Sequence, residues 1–146
     1  MAEIIVSVIV PLYNEERYIA SLLESLEKQT YPRENMEWIL VDGMSGDGTV
    51  AVIRSAMETG LYPIVLLKNE KKKTPYALNL AIGEAKGKYI IRLDAHSYFY
   101  PDYIEKCVYY LEHTDADSVG GIAETQAEGF VGGAIAQMLS PKFGVG

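Results

Sequence analysis

With one cysteine in 146 residues, the chain cannot close an internal disulfide; Cys107 fits a reducing compartment, and stability must come from a core. Basic residues are scarce too: 13 Lys and Arg stand against 20 Asp and Glu, a formal net charge of −7. Nucleic-acid binding needs a basic face, so this balance argues against a nucleic-acid partner. A phosphorylated ligand would need local lysines or a metal ion to be held. No apolar run approaches the ~18 residues of a membrane helix. Ala2-Glu3 ahead of the first apolar run gives no secretory-signal pattern, so the expected location is cytoplasmic. No G-x-G-x-x-G follows the first strand and no P-loop lysine follows any strand, which disfavours dinucleotide dehydrogenases and P-loop kinases.

What is present is an ordinary globular composition, 49% hydrophobic and 23% charged, in a length suited to one domain spanning 1–146. Ile4–Val10, Trp38–Val41 and Pro63–Leu67 are short apolar runs of the kind buried on both faces of a parallel sheet, and Lys88–Leu93 is a fourth strand. Pro11 is expected to stop the first. Between the strands lie helical patterns. The first has Asn14 as cap and Tyr18, Ile19, Leu22, Leu23 and Leu26 inward, and ends at Thr30-Tyr31-Pro32. The second has Val50, Ile53 and Met57 inward, with Asp47 as cap and Gly60 closing it. The third runs from Pro75 with Leu78, Ala81, Ile82 and Ala85 inward. A fourth starts near Pro101 and buries Tyr103, Ile104, Cys107, Val108, Leu111 and Tyr110. A weaker strand over 117–123 and a short helix over 131–139 are expected beyond it. Strands alternating with helices predict an α/β fold, a Rossmann-like, mainly parallel sheet with helices on both faces. With strand one between strands two and four, the order reverses there, and a crevice opens at the strands' carboxyl ends.

Three strand ends supply unusual residues: Pro11-Leu12-Tyr13-Asn14-Glu15, then Asp42 through Thr49, then Asp94-Ala95-His96. Asp94 and His96 could hold a divalent cation; equally, Asp94 could cap a turn and His96 be merely exposed. Asp47 is a ligand or only a helix cap. Lys71, Lys72 and Lys73 follow strand three on the same sheet edge, and Lys73 reaches a diphosphate unless the run is a solvated loop. Arg92 could be a surface ion pair, and His113 complements the carboxyl end of its helix.

Val6–Glu15, Ile39–Thr49, Ala77-Leu78-Asn79 and Ala85–His96, in this order and spacing, resemble a family 2 glycosyltransferase. The Asp42-Gly43 and His96 variant is most similar to bacterial enzymes of succinoglycan and other exopolysaccharide biosynthesis. The resemblance implies the nucleotide-diphospho-sugar transferase (GT-A) fold. It also implies transfer, usually with inversion, from a nucleotide-diphosphate sugar donor to a saccharide or lipid-linked saccharide acceptor. Pro11, Tyr13, Glu15, Asp42, Lys73 and Asp94 become nucleotide-binding positions, and Asp94 and His96 ligands of Mn²⁺ or Mg²⁺. His96 stands where the family commonly has Asp, and Gly43 where many relatives have a second Asp. A sugar-nucleotide nucleotidyltransferase would need a glycine-rich basic loop after strand one, which Tyr13-Asn14-Glu15-Glu16 is not; a binding module without catalysis is the non-enzymatic alternative.

Inversion requires a general base within reach of the acceptor hydroxyl. Asp102, Glu105, Glu112 and Asp115 lie on or just after a helix, and Glu124 is in no recognisable base motif. The base is expected beyond residue 146. The mid-loop ending Ser140–Gly146 likewise fits the N-terminal piece of a longer protein, one that the family would place at the cytoplasmic membrane face.

Overall fold

The computed structural model describes residues 2–121. Strands β1 (Val6–Leu12), β2 (Met36–Asp42), β3 (Ile64–Lys68) and β4 (Tyr89–Arg92) form a parallel sheet in the order β3-β2-β1-β4. Helices α1 (Glu16–Glu27), α2 (Thr49–Glu58), α3 (Thr74–Glu84) and α4 (Tyr103–His113) follow the strands in turn. The expected placement of strand one between two and four is what the sheet has. Residues 117–121 form no strand; the rest of that expected strand, the helix over 131–139 and Glu124 lie outside the described residues.

Right-handed crossovers explain the layers. β1 to β2 to β3 steps one way along the sheet, so α1 and α2 share one face. β3 to β4 steps back across β2 and β1, which puts α3 on the other. The larger core packs Val8, Val10, Trp38, Leu40 and Ile91 against Leu22, Leu26, Ile53 and Ile104. The smaller sets Ile9, Ile39 and Val41 against Ala77 and Ala81. β1 and β2 read as continuous apolar runs because they are covered on both sides.

β1 continues through Pro11 rather than stopping there. The Ile9 carbonyl accepts the Leu93 N–H, and alternation turns Pro11 to that same side. β4 pairs no further than Ile9 with Arg92, so no ladder bond is lost at Pro11.

Several inward residues differ from the helical pattern. Tyr18, Met57, Ile82 and Tyr110 are exposed. Ile53 in α2, Leu78 and Ala81 in α3, and Ala85 just after it are inward as expected; Thr49, Val52 and Ala56 join the first and Ala77 the second. Small residues let α3 lie close to the sheet, leaving no depth for Ile82. α4 begins after Pro101, with Asp102 at its N-cap position. The link before it is stitched to α1 and its C-terminal end: Ser25 Oγ bonds the Phe99 backbone. Gln29 Nε2 donates to the Tyr100 carbonyl while its Oε1 accepts the Ile104 N–H of α4. Burial pushes the Cys107 thiol up, marking it as a core residue rather than a reactive one.

Candidate functional site

The strand register makes the exits of β1, β2 and β3 level, while β4 ends three residues lower, opposite Ile9. Leu12 pairs with Asp42, Asp42 with Lys68, and Ile9 with Arg92. Between β1 and β4 the strand order reverses, and a cleft of about 360 Å³ opens there at the carboxyl edge. This size suits one small organic ligand. Pro11, Tyr13 and Glu15 enter it from β1; Asn69, Lys72, Lys73 and Thr74 come from the β3 exit; Arg92, Asp94 and His96 come from β4. Of the sequence-predicted residues, the cleft thus gathers Pro11, Tyr13, Glu15, Lys73, Asp94 and His96. Its lining carries three cations (Lys72, Lys73, Arg92) against two carboxylates (Glu15, Asp94), the reverse of the chain's overall balance.

Asp42 is placed differently. It is buried beneath the wall, with Oδ2 accepting the Met44 and Ser45 N–H groups at 3.1 Å each. Its Oδ1 is buried without a hydrogen-bond partner among the described residues. An orphaned buried acceptor is costly, and a ligand N–H or O–H would relieve it.

Tyr13 stands exposed at the mouth. His96 Nδ1 lies 3.6 Å from Glu15 Oε1, and its ring meets the edge of Tyr18. Asp94 Oδ1 lies 3.5 Å from Arg92. Lys71 sits over the Tyr76 ring at 4.3 Å, off the lining. Asn69 is the buried organiser of the lysine loop: its Nδ2 donates to the Lys73 carbonyl and its Oδ1 accepts the Lys71 N–H.

The loops after β1 and β2 clasp each other. Asn14 N–H donates to Ser45 Oγ, and Gly46 N–H donates back to Asn14 Oδ1. Glu15 N–H donates to Thr49 Oγ1, and Glu16 N–H to Asp47 Oδ2. Asn14 is therefore not the cap of α1; Glu15 holds the N-cap position, and the first amides are satisfied from the neighbouring loop. Gly48, not Asp47, holds the N-cap position of α2. From one residue outside it, Asp47 Oδ1 accepts the Thr49 N–H, so Asp47 serves amides of both loops. The hydrogen bond from the Thr49 hydroxyl is the main reason its carboxyl is held below its ordinary value. Asn14, Met44 and Lys72 adopt left-handed φ of 51°, 69° and 62°. These are the non-glycine residues with positive φ among the described ones, and each lies on a loop at the cleft edge, where such strain concentrates. At Gly43 an added Cβ would lie 3.2 Å from the Leu12 carbonyl oxygen, so a side chain there needs a backbone adjustment.

Among the described residues no group of three or more His, Cys, Asp or Glu could hold a metal ion. Asp94 and His96 are a two-ligand set, an oxygen and an imidazole. Such a set fits Mn²⁺ or Mg²⁺ bound jointly with ligand phosphates and water, which is how these hard ions are commonly held.

Sequence reasoning missed Asn69, Ser45 and the lining role of Lys72. A polar residue directly after β3 was the available signal for Asn69. Nothing in the local pattern separates Lys72 from its neighbours, because a left-handed backbone turns it into the cleft.

A family model described as Glycosyl transferase family 2 matches residues 7–137. The chain is 39% identical over 101 residues to the dolichyl N-acetyl-alpha-D-glucosaminyl phosphate 3-beta-D-2,3-diacetamido-2,3-dideoxy-beta-D-glucuronosyltransferase of Methanococcus voltae, covering 68% of this chain and 32% of that protein. It is 34% identical over 125 residues to the succinoglycan biosynthesis protein ExoA of Rhizobium meliloti, covering 84% and 37%. Among solved structures, the mannosyltransferase PcManGT from Pyrobaculum calidifontis in complex with GDP-Man and Mn²⁺ aligns with a TM-score of 0.71 at 32% identity, over 75% of this chain and 33% of that one. The chain thus spans about a third of the length of these relatives.

Proposed function

The chain belongs to glycosyl transferase family 2, and from that premise we propose that its cleft binds a nucleotide-diphosphate sugar for transfer to a saccharide or lipid-linked saccharide hydroxyl. One observation carries this reading: the exits of β1, β3 and β4 converge at the switch point on a cationic cleft in an acidic chain. Tyr13 offers its ring to the base, and the unpartnered Asp42 Oδ1, buried beneath the wall, accepts a hydrogen bond from base or ribose once the turn over it shifts. Lys72 and Lys73 face the diphosphate. Asp94 and His96 hold a divalent cation, Mn²⁺ or Mg²⁺, which when bound offsets the charge developing on the leaving diphosphate.

In the reaction the acceptor oxygen forms a bond to the sugar C1 as the bond from C1 to the diphosphate breaks. The diphosphate leaves with the bonding electrons, and the acceptor proton passes to a general base. Attack opposite the leaving group inverts C1. The base belongs to the chain after the donor site, and the whole protein works at the cytoplasmic membrane face in polysaccharide assembly. The relative named for succinoglycan biosynthesis supports polysaccharide assembly, and the one named for a dolichyl phosphate supports a lipid-linked acceptor.

Calorimetric titration of UDP and of GDP, each with and without Mn²⁺, tests the donor site. Metal-enhanced binding of at least one is expected. Absence of binding for both, in either condition, would overturn the reading.

A further inference from the structure

Arg92 ends β4 level with Ile9, on the face of the sheet that α3 covers. It lines the cleft opposite Lys72 and Lys73, which come from the far side of the strand order. Its Nη2 lies 3.5 Å from Asp94 Oδ1, and both side chains are about half exposed, at 53% and 52%. A solvated ion pair would account for that distance and nothing more. The position of the pair argues for a larger role. Asp94 is the carboxylate that a cation would need, so an arginine at Oδ1 competes for it. A divalent ion at Asp94 would also leave Arg92 beside a like charge, which is favourable only if an anion arrives with it.

We propose that Arg92 is a diphosphate-binding residue that exchanges partners, holding Asp94 until donor and cation bind and then turning to a diphosphate oxygen. This rests on reading the cleft as the donor site. An arginine suits the exchange, because its planar guanidinium meets two phosphate oxygens at once, whereas the lysines opposite act as point charges. The exchange makes cation and diphosphate bind with positive coupling, and each must raise the other's affinity by the same factor.

The test uses the full chain with Arg92→Gln and Arg92→Lys. Mn²⁺ binding alone is followed by electron paramagnetic resonance of the free ion, and UDP and GDP binding by calorimetry in excess Mn²⁺. Arg92→Gln should bind Mn²⁺ alone about two- to five-fold more tightly, the range expected on removing a half-exposed pair. It should bind the nucleoside diphosphate about tenfold more weakly. Arg92→Lys should fall between Arg92→Gln and the parent, and it carries the test if Arg92→Gln loses its thermal unfolding transition. If the parent binds neither nucleotide, the donor-site reading itself fails. If the parent binds but the variants match it for both ligands, only the role of Arg92 fails. Tighter Mn²⁺ with unchanged nucleotide overturns the diphosphate contact, and weaker nucleotide with unchanged Mn²⁺ overturns the exchange.

Discussion

Replacing Glu37 by leucine should weaken the fold at the end of the sheet farthest from the cleft. Glu37 is buried near the start of β2, beside Ser7 of β1. Its Oε1 accepts the Ser7 hydroxyl at 2.6 Å and the Lys86 N–H at 2.7 Å, while Ser7 Oγ accepts the Gly87 N–H at 2.8 Å. These bonds fix the turn from α3 into β4. Two of the three donors are backbone amides, so no apolar side chain can take over from the carboxylate. Leucine leaves the Lys86 N–H unpaired and strips the Ser7 hydroxyl of its acceptor, each at about 1–3 kcal/mol. Burial of the extra apolar surface returns ~1 kcal/mol. The net loss should be about 1–5 kcal/mol, ~3 kcal/mol at the centre of that range. In urea, with a slope of about 1–3 kcal/mol per molar, a loss of ~3 kcal/mol lowers the midpoint by ~1–3 M at unchanged slope. Ser7→Ala combined with Glu37→Leu should cost less than the sum of the two, because they share one network. A loss below ~1 kcal/mol would refute the reasoning. So would reduced nucleotide affinity in the folded variant, since the network lies at the opposite edge from the cleft.

Asp47 is held below its ordinary value of 3.8, so its contribution to stability is present above that pH and is lost as pH falls through the folded-state value. Denaturation curves from about pH 6 to about pH 3 should therefore show a shallower acid loss for Asp47→Asn than for the parent; parallel losses would count against the clasp. His96→Ala should weaken Mn²⁺-dependent nucleotide binding about tenfold while shifting the melting temperature by no more than ~2 °C, because the side chain is largely exposed. An unchanged affinity in the Mn²⁺ titration would return His96 to a surface role. Gly87→Ala would place a Cβ 2.5 Å from the Ser7 backbone nitrogen and should cost about 2–3 kcal/mol in the same urea assay. Gly83→Ala, in α3 with nothing within 4 Å of the new atom, should instead stabilise by ~0.5–1 kcal/mol.

The sheet was legible because β1 and β2 are buried on both faces, and a continuous apolar run such as Ile39-Leu40-Val41 cannot sit in a half-exposed strand without putting a large side chain in water. Strand one between strands two and four came as the condition of a doubly wound sheet, and crossover handedness fixes only which face each helix takes. Helix faces were less legible: Met57 and Ile82 fit the helical period, yet Val52 and the small Ala77 face the sheet. Periodicity counts apolar residues but not the depth available to them. At the site, the residues that enter the cleft directly from strand ends were found from the motifs. Asp42 was named too, but its burial beneath the wall and its unpartnered oxygen are set by the folding-back of residues 43–45. The clasp lay beyond reach for a different reason. Asn14 and Asp47 each look like the cap of the helix that follows, and only the packing of two loops shows both serving a neighbour.

That clasp has a practical consequence for anyone exchanging segments between relatives. Residues 13–16 bring Tyr13 and Glu15 to the cleft, but the amides of Asn14, Glu15 and Glu16 are held by Ser45, Thr49 and Asp47, more than thirty positions later in the chain. A graft of the first loop alone would arrive without its acceptors, and α1 would begin with amides exposed to water. The two loops must therefore be transplanted as a single part.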